Sequence, residues 1–518
     1  MNMQEINFAQ AFRKGLYPET DSKPALEYLR ECKNKRPSPA GLIDHETLEN
    51  PITDEDLAVN WPFPVLLRLK KFTLAFMQTA IYEIDEQDWT ATQLTTYDIT
   101  NPAATKAITY GGANLQSWNV ADFGDVWFAT NGFCFVARLN HSGAWKVLVS
   151  SITDDNRCFS LTALDERLFM SSLAWSKLED TRALAWIEHW KKYRHRAGMS
   201  SLGMEIDWDA AILVSERSSD ELYYPFLYVM ALLGFPSDAQ YDKLLPAIYQ
   251  NTERGGLGIA FPGYHGDTLQ LAPLGSLLIA YGRNGISSLA NVDGDWMMVD
   301  TIGVSVYRRG IAGGYLHRHW FIDQDSDIWM LEGNPIKTTR LGYRTYMARL
   351  NLGKTFIVYD PRQEEVYISD GLLGFCLSQH GLSEITKLPT SLIVGSDSLA
   401  PRKKAVAPHV VIADTAMLVK TSRFDFGTRR TKTVQEVETF LSGTGTVTAT
   451  VSARHAYTAA VIDKAAALDS RGLAAIPHTG VEFEVALSAP VSTAVALGDL
   501  AVRARTDGQG TIKEKLNA

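Results

Sequence analysis

Cysteine is scarce. Cys32, Cys134, Cys158 and Cys376 stand far apart in 518 residues. No C-x-x-C pair occurs, so a zinc-ribbon or thioredoxin-type motif is excluded. Buried free thiols are what a protein made in a cytosol carries. Positive charge is also short: 50 Lys and Arg against 59 Asp and Glu leave a net −9. That balance argues against a nucleic-acid coat, which would be basic. It is compatible with a passage through which DNA slides, because few basic groups release few counterions and do not grip phosphates. Long apolar runs are lacking as well. The greasiest stretch, Leu222 to Phe235, contains Pro225 and is shorter than the roughly 20 residues that cross a bilayer, so no membrane anchor is expected. Met1 to Gln10 is polar and has no signal-peptide core, which places synthesis in a cytoplasm.

The motifs of chemistry are equally thin. Gly255-Gly256-Leu257-Gly258 lacks the Lys-Ser/Thr ending of a phosphate loop and the spacing of a dinucleotide fold. No G-x-S-x-G elbow is found. Asp323-x-Asp325-x-Asp327 starts like a calcium loop. Ile328 then stands where glycine is needed and Asn334 where a bidentate glutamate is needed, so a polar hairpin turn is the better reading. His317 and His319 fall on one face of a strand, but a zinc site needs a third protein ligand. Only His265 and Asp267, brought in by folding, offer one. Asp293-Gly294-Asp295-Trp296 is close to the aspartate-box turn of sialidase propellers, without its leading serine. Lys191 to Arg196 is the densest basic run and suits either a phosphate contact or a solvated helix end. No catalytic, cofactor-binding or metal-ligating residue is singled out, and the protein is expected not to be an enzyme.

What is present is β-forming. Hydrophobic residues make up 46%, and there are 12 tryptophans. From Val65 to residue 175, apolar strands alternate with polar turns such as Asp122-Phe123-Gly124-Asp125 and Ala163-Leu164-Asp165-Glu166. The same rhythm returns over 274–400, for example in Thr355 to Tyr359 and Glu365 to Ser369 around Asp360-Pro361. Turns about 8–12 residues apart mark sandwiches, barrels and propellers. Five or more such units predict blades of a β-propeller-like core over 65–400, with an irregular sandwich stack as the alternative. Between the two strand blocks, 175–273 reads as an α-helical insertion, with helices predicted at Thr181 to Arg196, Glu221 to Gly234 and Asp238 to Gln250.

The two ends differ from this core. Residues 1–64 hold seven prolines from Pro18 to Pro64, which break regular structure. They read as an extended N-terminal arm with apolar anchors Phe8, Phe12, Leu16, Tyr17, Leu42, Ile43, Trp61 and Phe63. An arm without its own core is expected to lie on a neighbouring subunit, or else on the outside of its own propeller, and to serve a ring, not the folding of the propeller. Residues 401–408, Pro401-Arg402-Lys403-Lys404-Ala405-Val406-Ala407-Pro408, form a basic linker. Beyond it, 409–518 alternates as half-buried strands do: Val447, Ala449, Val451 and Ala453 on one side, Thr446, Thr448, Thr450 and Ser452 on the other. A separate C-terminal β-sandwich is expected there.

Three stretches together resemble the tail hub or nozzle proteins of short-tailed bacteriophages. They are the arm from Gly15-Leu16-Tyr17-Pro18 to Trp61-Pro62-Phe63-Pro64; the blade motifs Asp122-Phe123-Gly124-Asp125-Val126-Trp127-Phe128 and Thr355-Phe356-Ile357-Val358-Tyr359-Asp360; and the ending Phe424-Asp425-Phe426-Gly427 with Gly480-Val481-Glu482-Phe483. The resemblance implies a structural virion protein with a propeller followed by a β-domain. It would form a ring, commonly a hexamer, around the DNA exit channel in the virion tail. Its partners would be further copies of itself, portal or adaptor proteins, and tail fibre or spike proteins, with DNA passing without sequence-specific binding. A receptor-binding or glycan-degrading tail propeller is the competing function. No cofactor is implied.

Overall fold

The computed structural model describes residues 3–19, 27–45, 65–77, 79–85, 87, 90–98, 101–108, 118–141, 143–151, 156–175, 212–214, 258–260, 267–292, 295–307, 313–315, 317–353, 355–360, 364–370, 372–385, 393–395, 416–428, 430–456, 458–490 and 494–506. Residues 3–45 supply β1 (Met3–Asn7), α1 (Ala9–Lys14), β2 (Leu29–Lys33), β3 (Arg36–Ser38) and β4 (Gly41–Ile43). Six antiparallel meanders follow among the described residues. Blade 1 is β5 (Val65–Arg68), β6 (Thr73–Phe76), β7 (Ile81–Ile84) and β8 (Ala91–Gln93). Blade 2 begins with β9 (Thr96–Asp98), laid parallel on the last strand of β10 (Asn119–Asp122), β11 (Trp127–Thr130), β12 (Cys134–His141) and β13 (Ala144–Ser151). Blade 3 is β14 (Asn156–Leu164), β15 (Arg167–Trp175), β16 (Ile212–Val214) and β17 (Gly258–Ala260). Blade 4 is β18 (Thr268–Leu274), β19 (Leu277–Gly282), β20 (Ile286–Val292) and β21 (Asp295–Ile302). Blade 5 is β22 (Gly313–Tyr315), β23 (Arg318–Ile322), β24 (Ile328–Glu332) and β25 (Lys337–Gly342), followed by the short α2 (Arg344–Met347). Blade 6 is β26 (Phe356–Asp360), β27 (Glu365–Ser369), β28 (Gly374–Ser378) and β29 (Gly381–Ile385).

The first strands of successive blades adjoin: β10 meets β14, β14 meets β18, and β22 meets β26. Then β30 (Ile393–Gly395) pairs in parallel with β5, Ile393 opposite Leu66 and Gly395 opposite Arg68, returning the chain to blade 1. Closure of this kind removes an exposed edge. Middle strands such as β6, β11 and β19 are buried on both faces, because each blade is covered on either side. Aromatic rings stitch neighbouring blades. Phe76 of blade 1 lies 5.1 Å from Trp118 and 5.9 Å from Trp127 of blade 2. Phe169 of blade 3 meets Trp296 of blade 4 edge-on at 4.7 Å, and Trp320 of blade 5 stacks on Tyr359 of blade 6 at 4.8 Å. The mainly β, propeller-like core expected from the strand rhythm is therefore present.

The expected insertion is corrected where it is described. Ile212–Val214 and Gly258–Ala260 are strands that complete blade 3, and Thr268 to Pro273 lies in the first strand of blade 4. Among the described residues, blade 3 takes two of its strands from inside the expected insertion. The three helix predictions at 181–196, 221–234 and 238–250 lie outside the described residues, as does the linker 401–408.

The C-terminal strands are β31 (Met417–Thr421), β32 (Lys432–Thr444), β33 (Thr448–Arg454), β34 (Ile462–Ala467), β35 (Leu473–Gly480), β36 (Glu482–Ala489) and β37 (Ala494–Thr506). They do not form a sandwich of their own. One sheet runs β3-β4-β37-β32-β35, with β1 also on β37. The other runs β26-β27-β28-β29-β2-β31-β36-β33-β34, so blade 6 continues through the arm strand β2 into the C-terminal strands. Alternation puts Val447, Ala449, Val451 and Ala453 inside, as read from the sequence. They share one core with Val434, Val437, Val502 and Ala504 of the other sheet.

Residues 3–45 also correct the expected free arm. Met3 lies opposite Arg505 and Asn7 opposite Ala501. Phe8, Phe12, Leu16 and Leu42 are fully buried in this same core, Phe8 edge-on to Phe424 at 5.2 Å. Prolines stop an arm from making its own sheet, but they do not stop short strands from joining sheets made elsewhere. The anchors are therefore covered by their own chain. Trp61 and Phe63 lie outside the described residues.

Close approach fixes where α1 docks. Gly381 (φ +153°) opens β29, and a Cβ there would overlap the Lys14 carbonyl. Gly381→Ala is expected to destabilise the protein by about 1–3 kcal/mol, read as a lower urea midpoint. Midpoints matching the parent would mean that the arm does not dock as described.

Candidate functional site

The residues singled out in the sequence have ordinary structural places. His319 is buried; its Nε2 donates to the Pro273 carbonyl at 2.8 Å, and its Nδ1 accepts from the Tyr281 hydroxyl at 2.6 Å. Burial penalises the cation and holds it down to about 4, against the Pro273 hydrogen bond, which favours the charged form. His317 is exposed and not its partner in a site. Asp267 pairs with Arg283 at 3.2 Å, and His265 lies outside the described residues. The Asp323 to Asp327 segment is a hairpin turn. Asp323 accepts from the backbone of Asp325 and Asp327 and from Trp329 Nε1, at 2.8, 2.9 and 2.6 Å. Asp327 is clamped by Arg340 and Arg344 at 2.7 and 2.8 Å. Trp296 packs between blades, while Asp293, Gly294, 255–257 and 191–196 lie outside the described residues.

A different polar cluster forms where the arm covers blade 6. On β27, Glu365 and Tyr367 are two apart and share a face. Tyr367 lies opposite Cys376 on β28, and Cys376 lies opposite Ser383 on β29. These four therefore make one polar patch on a blade whose other face carries Val366, Ile368, Leu377 and Leu382. Over the patch lie Arg36 of β3 and His45, just past β4. Arg36 Nη1 donates to Glu365 Oε1 at 2.5 Å, and the Tyr367 hydroxyl donates to Oε2 at 2.7 Å. Ser383 Oγ lies 3.4 Å from His45 Nε2. Glu365, Cys376, His45, Tyr367 and Ser383 are all buried.

The electrostatics follow from that burial. Desolvation, then Arg36 and Lys35, holds His45 down to about 3, so it is a neutral imidazole. Desolvation and then the Glu365 charge push the Cys376 thiol well up. A thiol so raised is a poor nucleophile. Beside the patch, Glu384 on β29 is also buried and takes Arg349 at 2.7 Å and Lys33 of the arm at 3.3 Å. Lys35 is buried and binds Asp44 and the Val495 carbonyl. Arm, blade and C-terminal sheet are thus keyed together by charges. Sequence reading missed this cluster because Arg36 and Glu365 are 329 positions apart; the one local signal was a glutamate and a cysteine facing inward on adjacent apolar strands.

No family model and no curated protein matches the chain. Among solved structures it is similar to a Bacteroides uniformis protein assigned as a 6-phosphogluconolactonase, with a TM-score of 0.34, 8% identity, and 66% of this chain and 86% of that one covered. It is also similar to the Cps50 (Swd1) β-propeller domain of Myceliophteria thermophila, with a TM-score of 0.32, 8% identity, and 62% and 84% covered. A third is the Pan2 WD40 domain of Neurospora crassa, with a TM-score of 0.33, 4% identity, and 68% and 86% covered. Likenesses of this strength carry no argument about function; the propeller-like class rests on the blade topology itself. No helix among the described residues is long and apolar enough to cross a membrane.

Two measurements probe these groups. Arg36→Met leaves Glu365 buried without its cation and is expected to cost about 3–5 kcal/mol, seen in denaturant unfolding; a loss under 1 kcal/mol would mean that the pair is solvated. For His319, both states are neutral above about pH 6.5. As pH falls below that, the unfolded chain takes a proton that the native state refuses until about 4. Stability should therefore fall by about 1.4 kcal/mol per pH unit over that window, and His319→Gln should remove this component of the slope.

Proposed function

We propose that the chain is a structural subunit of a bacteriophage tail, a hub or nozzle protein. It would assemble as a ring around the DNA exit channel and join the portal or adaptor to fibres or spikes. One observation carries the reading: a propeller-like core whose last blade runs, without a break in its sheet, into a two-layer C-terminal unit. The tail hub family that the sequence resembles has a propeller followed by a β-domain. Strands shared between the two lobes make them one stiff body, which suits a part that bears load in a channel. A net charge of −9 suits a wall that DNA passes without sticking.

A neighbour contact also has a place to form. The nine-stranded sheet ends at β34, where five of six residues are exposed and Ile462 keeps 47% of its surface in water. An open strand edge is a template for pairing, and ring symmetry repeats one such contact around the axis.

The test is to purify the full chain and image it, and to search purified virions for it by mass spectrometry. A closed ring of identical copies and a fixed copy number in particles are expected. A protein that stays monomeric at micromolar concentration and is absent from particles would sink the proposal. Release of sugars from host surface glycans by the pure protein would replace it with a glycan-degrading propeller.

A further inference from the structure

We infer that His45, Glu365 and Cys376 form a metal site that clasps the arm to blade 6, and that it takes a divalent transition ion of the zinc class. One ligand atom from each of the three lies within 4.8 Å of the other two, and all three residues are buried. His45 Nδ1 is buried with no hydrogen-bond partner. A buried polar atom left unpaired costs about 1–3 kcal/mol, and a neutral imidazole has a lone pair to offer a cation.

The donor set selects the ion. Imidazole, thiolate and carboxylate together suit zinc and its neighbours, whereas magnesium and calcium prefer oxygen alone. Zinc–ligand bonds of roughly 2.0–2.3 Å in a tetrahedron place ligand atoms about 3.3–3.8 Å apart. The three groups therefore need to close by only about 1 Å or so from their outer separation. Support around the ligands is already built. Arg36 and Tyr367 hold one Glu365 oxygen each, and each oxygen keeps a lone pair. Such supporting bonds fix ligand orientation and tune affinity.

Protons balance, and the occupied cluster carries one net positive charge, that of the partly exposed Arg36. The ion displaces the thiol proton to solvent and forms the metal–sulfur bond, while His45 binds as the neutral base and Glu365 as the anion. Thiolate and carboxylate offset the two positive charges. Arg36 remains beside Glu365, and Lys35 keeps Asp44. Water takes the fourth position. With its ligands buried, the ion ties residue 45 of the arm to strands more than 300 positions away.

The experiment uses the full chain, stripped with chelator and titrated with cobalt(II), which reports thiolate ligation by a charge-transfer band in the near ultraviolet. One equivalent with that band, displaced by zinc, and a higher melting temperature with zinc than with magnesium are expected. Cys376→Ser should abolish the band, and Cys32→Ser, a buried thiol outside the cluster, should keep it. His45→Gln should weaken binding at least tenfold. A folded wild-type chain that binds no cobalt, or a band that survives in Cys376→Ser, overturns the site. If Cys376→Ser does not fold, the wild-type titration and His45→Gln decide, because either can fail on its own.

Discussion

The pairing of β2 on both its edges is the constraint on which the rest of the molecule depends. On one side Lys33 lies in parallel register with Glu384 of β29; on the other, Leu29 to Lys33 runs antiparallel to β31. Without this strand the nine-stranded sheet would divide into a blade and a C-terminal sheet. Its pairing is reinforced by charge, Lys33 on Glu384 and Lys420 on Glu31, and by Cys32, whose thiol donates to the Lys35 carbonyl at 3.3 Å. Burial pushes that thiol up to about 12, so it stays a small apolar filler.

Specific placement of the arm comes from polar groups more than from its apolar anchors. Phe8 and Phe12 contribute burial, which is non-directional. The largely buried Arg36–Glu365 pair, and the pair of buried Lys35 with exposed Asp44, each fit one register. Ion pairs in apolar surroundings add little net stability, but breaking one is expensive. They therefore penalise alternative dockings of a short, proline-broken segment.

The blade strands were legible because their signal is local. Hairpins at Asp122 to Asp125, Asp165-Glu166 and Asp323 to Asp327 carry turn residues between apolar strands, and each falls where it was read. Asp165 and Glu166 take positive φ, the two-residue turn that matches strand twist. The alternation of β33 and β36 was equally plain. The partners of the arm were not legible, because a segment that pairs with strands hundreds of residues away shows only its own prolines. The short β16 and β17, three residues each, were lost inside a stretch whose helical spacing drew the eye. The polar cluster under the arm was hidden for the first of these reasons: it exists only once β3 and the turn after β4 lie on blade 6.

Because Met3 pairs with Arg505, the order of synthesis matters. β1 leaves the ribosome long before β37, its neighbour in the sheet. At about 5–20 residues per second, the amino-terminal segment waits roughly 25–100 s for its partner. Meanwhile blades 1 to 5 have all their strands and can close upon one another. Phe8, Phe12 and Leu16 stay uncovered during that interval, and so does the side of blade 6 that they help to cover. A nascent chain of this design is therefore most exposed to aggregation and to chaperone capture late in translation. A chain cut before β37 would keep its blades and leave β1 without a partner.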